Sequence, residues 1–308
     1  MHVLFLPSWY PTADNPIAGS FFQEQALALQ KSHVKTGVIY VQLASIKTFF
    51  KKRSIPLGLY HDAVENPPAI KFFFFRIPLL MKLNRLFIEI VGVFLFRKYV
   101  KEYGLPDLLH VQAMENTGSL ALKIKQKFGI PYVITEHSSK FLRGNLNRSL
   151  FEGLKQVVQQ SSSLLAVSKR LADVLDTLFD ERNMSWKVIP NMVSEPFLAA
   201  PLHDPLPNNI TRFIAIGSLT ENKGFDILIR AFSSVFAETK SVELAIGGTG
   251  KERDKLDSLR HECGSSNRRK LLGRLSRSQV VEAISASSIL VVSSLKETFG
   301  VVAVEALA

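Results

Sequence analysis

Short apolar runs alternate with helix-like stretches along the 308-residue chain, in two successive series. The first comprises HVLFL (2–6), TGVIYVQL (36–43), IKFFFF (70–75), DLLHVQ (107–112), PYVIT (131–135), SLLAV (163–167) and WKVI (186–189). The second comprises TRFIAIGS (211–218), VELAIGG (242–248), RKLLG (269–273) and SILVVSS (288–294). Strands this apolar are covered on both faces, which predicts parallel sheets flanked by helices. The four prolines of SEPFLAAPLHDPLPNN (194–209) mark a linker between the series. The expected fold class is α/β, with two doubly wound domains over 1–195 and 196–308. In such sheets ligands lie beyond the carboxyl ends of the strands, so the loops there are the places to search.

Composition adds limits. Hydrophobic residues at 46% and charged residues at 21% fit a soluble globular chain. The lone Cys263 has no partner for an internal disulfide, which suits a reducing compartment. The opening MHVLFLPSWYP does not read as a signal peptide, because it has no basic n-region and Pro7 breaks its apolar run. The longest apolar candidate, LFIEIVGVFLF (86–96), is short for a membrane span and carries Glu89. The formal charge of +11 is concentrated. Residues 47–101 hold eleven Lys and Arg against three Asp and Glu, with FKKRS and FFFFRIPLLMKLNRLF interleaving basic and aromatic residues. Such a stretch reads either as a solvated face or as a surface for an anionic membrane. Residues 83–103 form a helix on either reading. No nucleic-acid recognition module accompanies the charge, so no nucleic-acid partner is expected.

Several loops combine glycine with chemistry-bearing residues. The long connection PSWYPTADNPIAGSF (7–21) ends at Gly19. Ser20 and Gln23 there read as a capping box opening a helix. TEHSS (135–139) places His137 after a strand, where it could donate to a ligand oxygen or serve only as a turn residue. In GSLTENKGFDILIRAF (217–232), Lys223 and Gly224 precede a helix whose apolar face is read at 228, 231, 232 and 235. GGTGKERDKL (247–256) fits neither a phosphate loop nor the dinucleotide fingerprint and reads as a glycine-rich strand-to-helix turn. Metal ligation has no support, since the chain has no Asp-x-Asp, no His-x3-His and no second cysteine. In KETFGVVAVEALA (296–308), Glu297 reads structurally as a capping box with Ser294, while Glu305 falls on the side of Val301, Val302 and Ala308. A carboxylate on an apolar face needs a hydrogen-bonding partner, and a vicinal diol supplies two hydroxyls. With Gly300 leaving N–H groups for phosphate and Glu297 free for a second polyol, diol, phosphate and diol make the outline of a nucleotide-sugar.

Taken in order, these segments resemble the retaining GT-B glycosyltransferases of family 4, also called glycosyl transferases group 1. ETFGVVAVE matches the family's E-x7-E motif, and GSLTENKGFDILIRAF its KG segment. AVSKRL, VIPNMVS, AIGGTGKERDKL and LLGRLSRSQV match lesser signatures, and the resemblance covers nearly the whole chain. PSWYPTADNPIAGSFFQEQALAL resembles the opening of bacterial members that build surface polysaccharides. The resemblance implies two Rossmann-like domains facing a cleft. It also implies transfer from a nucleotide diphosphate sugar, with retained configuration and no required metal or other cofactor. Carried over by position, Glu297 holds donor-sugar hydroxyls, Lys223 stabilises the departing diphosphate and His137 lines the reacting centre. Glu305 binds the ribose, and Gly19, Ser218, Asn191, Arg274, Phe299, Gly300 and Val301 complete the donor site.

The sequence departs from the family at three points. Ser218 stands where the family has an arginine that helps neutralise diphosphate. PNMVS lacks the usual glycine and aspartate. No strand follows the last helix, so the chain is expected to be a C-terminally truncated fragment with an incomplete second domain, inactive as it stands. The expected acceptor is a glycolipid or polysaccharide in surface polysaccharide biosynthesis. The expected location is cytoplasmic, peripheral on the inner membrane face. A nucleotide-sugar epimerase and a non-catalytic donor-binding subunit are the competing readings.

Overall fold

The computed structural model describes residues 1–13, 15–45, 57–62, 65–144, 148–180, 185–200, 210–264 and 266–308. The chain forms two compact units, Met1–Asn191 and Met192–Ala308. This break precedes the boundary read at 195, for a local reason. Phe197 packs with Leu275 and Val280, and Ser194 Oγ accepts from Arg277, so the segment after Asn191 is bound to the second unit's residues. The rest of the proline-rich linker, 201–209, and the FKKRS run lie outside the described residues.

The first unit is an eight-stranded sheet of order β3-β4-β2-β1-β5-β6-β7-β8. Its strands are β1 (His2–Pro7), β2 (Lys35–Ala44), β3 (Gly58–Asp62), β4 (Ala69–Phe75), β5 (Leu108–Gln112), β6 (Tyr132–Glu136), β7 (Ser163–Ala166) and β8 (Lys187–Val188). Every residue of β1 is buried, as the apolar reading of HVLFL requires of a central strand. Neighbours pair in parallel except β3, which runs antiparallel to β4. The apolar pattern missed β3 because its sequence, GLYHD, leaves Leu59 and Tyr60 largely exposed at a sheet edge.

Among the described residues, six helices flank this sheet: α1 (Ser20–Lys31), α2 (Met81–Tyr103), α3 (Met114–Phe128), α4 (Ser139–Arg143), α5 (Arg148–Gln160) and α6 (Lys169–Leu178). Helix α1 starts at Ser20 as expected, yet its cap is Gly19 in the left-handed region, with no side-chain capping bond. The Ser20–Gln23 capping box is therefore not formed. A Cβ at Gly19 would lie 2.6 Å from the carbonyl oxygen of Trp9, which restricts that position to glycine. Helix α2 has one buried side and one exposed apolar side. It buries Ile88, Val93, Leu95, Phe96 and Tyr99, and exposes Leu83, Leu86, Ile90 and Phe94.

The second unit is a four-stranded parallel sheet of order β11-β10-β9-β12. It contains β9 (Thr211–Ile216), β10 (Val242–Gly247), β11 (Arg269–Gly273) and β12 (Ile289–Leu290). Its helices are α7 (Glu195–Leu198), α8 (Phe225–Val235), α9 (Arg253–Glu262), α10 (Arg277–Ser285) and α11 (Val301–Leu307). The buried face of α8 is Phe225, Ile229 and Phe232, with Leu228 packed against the same core. Of the 228/231/232/235 face expected, 228 and 232 thus pack inward, while Ala231 and Val235 are exposed. Strand β12 is only two residues long. Val291 still donates to Ile214, and beyond it the chain turns away as a loop that bonds the end of another strand's connection.

Candidate active site

In the second unit the loops at the carboxyl ends of β9, β10 and β12 converge. After β9 the chain passes Gly217 and Ser218 into a single 3-10 turn, Glu221–Lys223, and Gly224 in the left-handed region then starts α8. The loop after β12 lies along this turn. Leu295 N–H donates to Asn222 O at 2.8 Å, and Asn222 Nδ2 donates to Lys296 O at 2.8 Å. Ser293 Oγ donates to Lys223 O at 2.7 Å. The backbones approach so closely that a Cβ at Gly224 would stand 2.4 Å from Ser293 O. On the other side, Leu219 N–H donates to Thr249 O and Glu252 N–H to Leu219 O, joining the glycine-rich turn after β10.

This zipper brings two expected site residues together. Lys223 Nζ lies 2.6 Å from Glu297 Oε2, with each side chain about one-quarter exposed. The other oxygen, Oε1, accepts from the backbone N–H of Thr298. The capping reading of Glu297 with Ser294 is not realised. The helix begins only at Val301, after Gly300 in the left-handed region, and Glu297 sits ahead of it in the loop. A cation fixed against a carboxylate and open on one side can exchange that partner for an incoming anion. Phe299, Gly300 and Val301 continue the same loop and are partly exposed. Ser218 and Arg274 are exposed after β9 and β11.

Glu305 is buried at 5% exposure, and its partner is a side chain that the sequence reading did not find. Arg277 Nη1 lies 2.6 Å from Glu305 Oε1. The same guanidinium donates to Ser194 Oγ at 2.8 Å and stacks over the Phe197 ring at 4.5 Å. The carboxylate on the apolar face is thus met by an arginine. A ribose at Glu305 would have to share it. Arg277 left no trace in the local pattern, because its contacts come from residues far along the chain.

Gly19, His137 and Asn191 belong to the first unit. His137 is buried after β6, with Nε2 2.7 Å from Gln112 Oε1, and Gln112 Nε2 donates onward to Gln25 Oε1. The Phe22 ring meets the imidazole edge-on at 4.9 Å. Burial, and secondarily the nearby His110, pushes the His137 pKa down to about 3. The ring is therefore neutral near pH 7. With Nε2–H engaged by Gln112, Nδ1 remains as a buried acceptor with no partner among the described residues. The expected donation by His137 to a ligand oxygen is not available in this arrangement. Beside it stands another group that the sequence reading passed over. Glu136 is fully buried and accepts from the N–H groups of Met114, His137 and Ser138 at 3.0, 2.9 and 2.7 Å. Burial pushes its pKa up to about 7, against the pull of those three donors. The only signal for it was an acid at the end of an apolar strand, in TEH.

Comparison with known proteins bears directly on this geometry. Residues 204–308 match the family described as Glycosyl transferases group 1, and residues 52–195 match Glycosyltransferase Family 4. The chain carries a group 1 glycosyltransferase domain. The chain is 25% identical over 328 aligned residues to the "Putative teichuronic acid biosynthesis glycosyltransferase TuaC" of Bacillus subtilis, which covers all of this chain and 79% of that protein. It is 27% identical over 252 residues to an uncharacterized glycosyltransferase of Methanocaldococcus jannaschii, covering 81% of this chain and 67% of that one. Among solved structures, sucrose-phosphate synthase from Thermosynechococcus elongatus superposes with a TM-score of 0.73 at 17% identity, covering 100% of this chain and 79% of that one. Anabaena HepE in complex with UDP and glucose superposes with a TM-score of 0.65 at 18% identity, covering 100% of this chain and 78% of that one. At these identities the structural matches show the GT-B α/β fold.

Proposed function

We propose that this glycosyltransferase moves a sugar from a nucleoside diphosphate sugar to a lipid-linked or polysaccharide acceptor in surface polysaccharide biosynthesis, with retained anomeric configuration. The observation that carries the reading is the Lys223–Glu297 pair, fixed where the β9 and β12 loops meet. The reaction breaks the bond between the anomeric carbon and a phosphate oxygen and forms one to an acceptor hydroxyl oxygen. The acceptor proton leaves to the departing phosphate or to water. Negative charge grows on the diphosphate, and an ammonium already oriented beside it stabilises that charge without reorganisation. Glu297 holds the ammonium in place and presents a carboxylate to the donor-sugar hydroxyls. Glu305, with Arg277, contributes to the ribose side. Gly19, Ser218, Asn191, Arg274, Phe299, Gly300 and Val301 are the remaining proposed donor contacts, and neutral His137 lines the reacting centre. Because Lys223 supplies the positive charge, the transfer needs no resident metal in this reading.

The name of the teichuronic acid relative supports a surface polysaccharide, and the UDP and glucose in HepE support a nucleotide-sugar donor. Among the described residues no helix is long and apolar enough to cross a membrane. The exposed Leu83, Leu86, Ile90 and Phe94 of α2, on a strongly basic stretch, support peripheral binding to an anionic membrane at the cytoplasmic side. Exposed Ser218, in place of the family arginine, favours the competing reading of a donor-binding subunit without turnover. Incubation with labelled UDP- and GDP-sugars separates the possibilities. Label in an acceptor supports transfer. Label in an isomeric sugar shows an epimerase, and bound but unchanged label shows a binding subunit.

A further inference from the structure

Three non-glycine residues among those described have a positive φ: His33, Leu79 and Ala113. His33 and Leu79 are exposed, whereas Ala113 is fully buried, with φ 61 and ψ 109 at the turn from β5 into α3. A residue with a Cβ keeps such a backbone conformation only where its surroundings fix it. Ala113 N–H donates to Thr135 O at 2.8 Å, Ser8 Oγ donates to Ala113 O, and Ser8 N–H donates to Gln112 O at 3.0 Å. A further fastener is Glu136, whose Oε2 accepts from the N–H of Met114, the residue after Ala113.

Glu136 Oε1 serves a second turn. It accepts from the N–H groups of His137 and Ser138, where β6 passes toward α4. The two turns meet again at the His137 ring. Its Nε2–H donates to Oε1 of the fully buried Gln112, one residue before Ala113. One carboxylate therefore holds His137 by its own backbone and, through the Ala113 turn, holds the amide that orients its ring. An amide oxygen can only accept, so the ring proton sits on Nε2 and Nδ1 is left as the buried acceptor. We propose that Glu136 is a positioning residue for the transfer reaction: its carboxylate sets the register of the Ala113 and His137 turns and so fixes the His137 ring, in one tautomer, to accept from a ligand hydroxyl. This rests on the reading above in which His137 lines the reacting centre, and adds the group that places it.

Glu136 does this as a carboxylate. Both of its oxygens face N–H donors, so an added proton would meet a donor where it needs an acceptor. Burial nevertheless pushes its pKa up to about 7, so the fastening weakens as pH falls through neutrality. Glu115 on α3 adds to that rise and is itself paired with Lys140 on α4. The rings of His137 and of His110 on β5 stay neutral there, and β7 beside β6 brings no titratable group.

The test has two arms. In the first, 15N NMR follows the histidine rings of the full chain without a sugar donor. His137 is expected to carry its proton on Nε2 at pH 8. Its signals should pass through a step near pH 7, although the ring itself titrates only near pH 3, and Glu136→Gln should remove that step. In the second arm, the parent's kcat for transfer should fall about tenfold from pH 8 to pH 6, as for one required ionised group. KM for the donor should change less than about twofold. Glu136→Gln should lower kcat at pH 8 roughly tenfold and flatten the profile, with unfolding midpoints showing that the variant stays folded. The proposal is overturned if the His137 signals of the parent stay constant from pH 6 to 8, or if the variant keeps the parent's profile. Should Glu136→Gln not fold, the titration of the parent still decides. Absence of transfer by the parent counts against the functional reading, whereas the first arm tests the positioning by itself.

Discussion

Lys223 and Glu297 stand 74 positions apart in the chain and 2.6 Å apart in space, and three further hydrogen bonds tie their loops together. Because the backbone bonds do not depend on either charged tip, Lys223→Ala and Glu297→Gln should fold with nearly unchanged unfolding midpoints. Each should lower kcat on the order of a hundredfold, the usual loss when one charge-stabilising group is removed. Steady-state kinetics with the preferred donor checks this. Activity within a few-fold of the parent would leave the pair as loop fasteners only.

Gly224→Ala addresses the same junction through the backbone. The position has φ +60, and its Cβ would meet Ser293 O at 2.4 Å. The substitution should cost roughly 1–3 kcal/mol of stability, from a strained conformation and a displaced loop. It should also lower activity, because the displaced loop carries Glu297. Urea unfolding and kinetics on one preparation read both effects. Unchanged values would contradict the close approach.

Arg277→Met should leave the Glu305 carboxylate, 4% exposed, without its guanidinium. Breaking a buried pair from one side costs ~3–5 kcal/mol, and the one-third exposure of Arg277 puts the expected loss at or below the lower end of that range. Replacing both, with Glu305→Leu added, should recover much of it. A double-mutant cycle by denaturant unfolding gives the coupling, and additive losses would show that the pair contributes nothing.

The buried groups around β6 set a pH dependence with opposing signs. His110 and His137 have folded pKa values of about 4 and about 3 against 6.5 for the free side chain, so unfolding takes up two protons below that value. Glu136 is held near 7 against 4.5, so unfolding above 4.5 releases one. Between about pH 4.5 and 6.5 these three groups leave one proton taken up on unfolding. Their joint contribution to stability therefore rises with pH, by about 1.4 kcal/mol per unit. Glu136→Gln removes the opposing group and should steepen the rise toward two protons. Urea unfolding at pH 5 and pH 6 measures the slopes, and equal slopes for parent and variant would show that Glu136 is ionised in the folded state.

The strands were legible wherever burial on both faces made their sequences largely apolar, as in β1 and β10. Strand β3 was not, because an exposed edge strand has no such signature. Lys223 and Glu297 were each legible from motif and position, yet their contact was not, since it depends on where two strands lie side by side in the sheet. Arg277 and Glu136 were missed for related reasons. The role of Arg277 is fixed by Ser194, Phe197 and Glu305, and that of Glu136 by the backbone N–H of Met114 in another element. The Ser20–Gln23 and Ser294–Glu297 capping boxes had the right spacing, but glycines in the left-handed region cap both helices instead.

The most direct measurement of the central claim is single-turnover transfer from labelled nucleoside diphosphate sugars. It compares the parent with Glu297→Gln and Lys223→Ala in the presence of EDTA, with the anomeric configuration of the product read by NMR. The account predicts label in an acceptor from the parent alone, with retained configuration and no loss on chelation. Label recovered only as the unchanged donor or as an isomeric sugar, or equal transfer by parent and both variants, would contradict it.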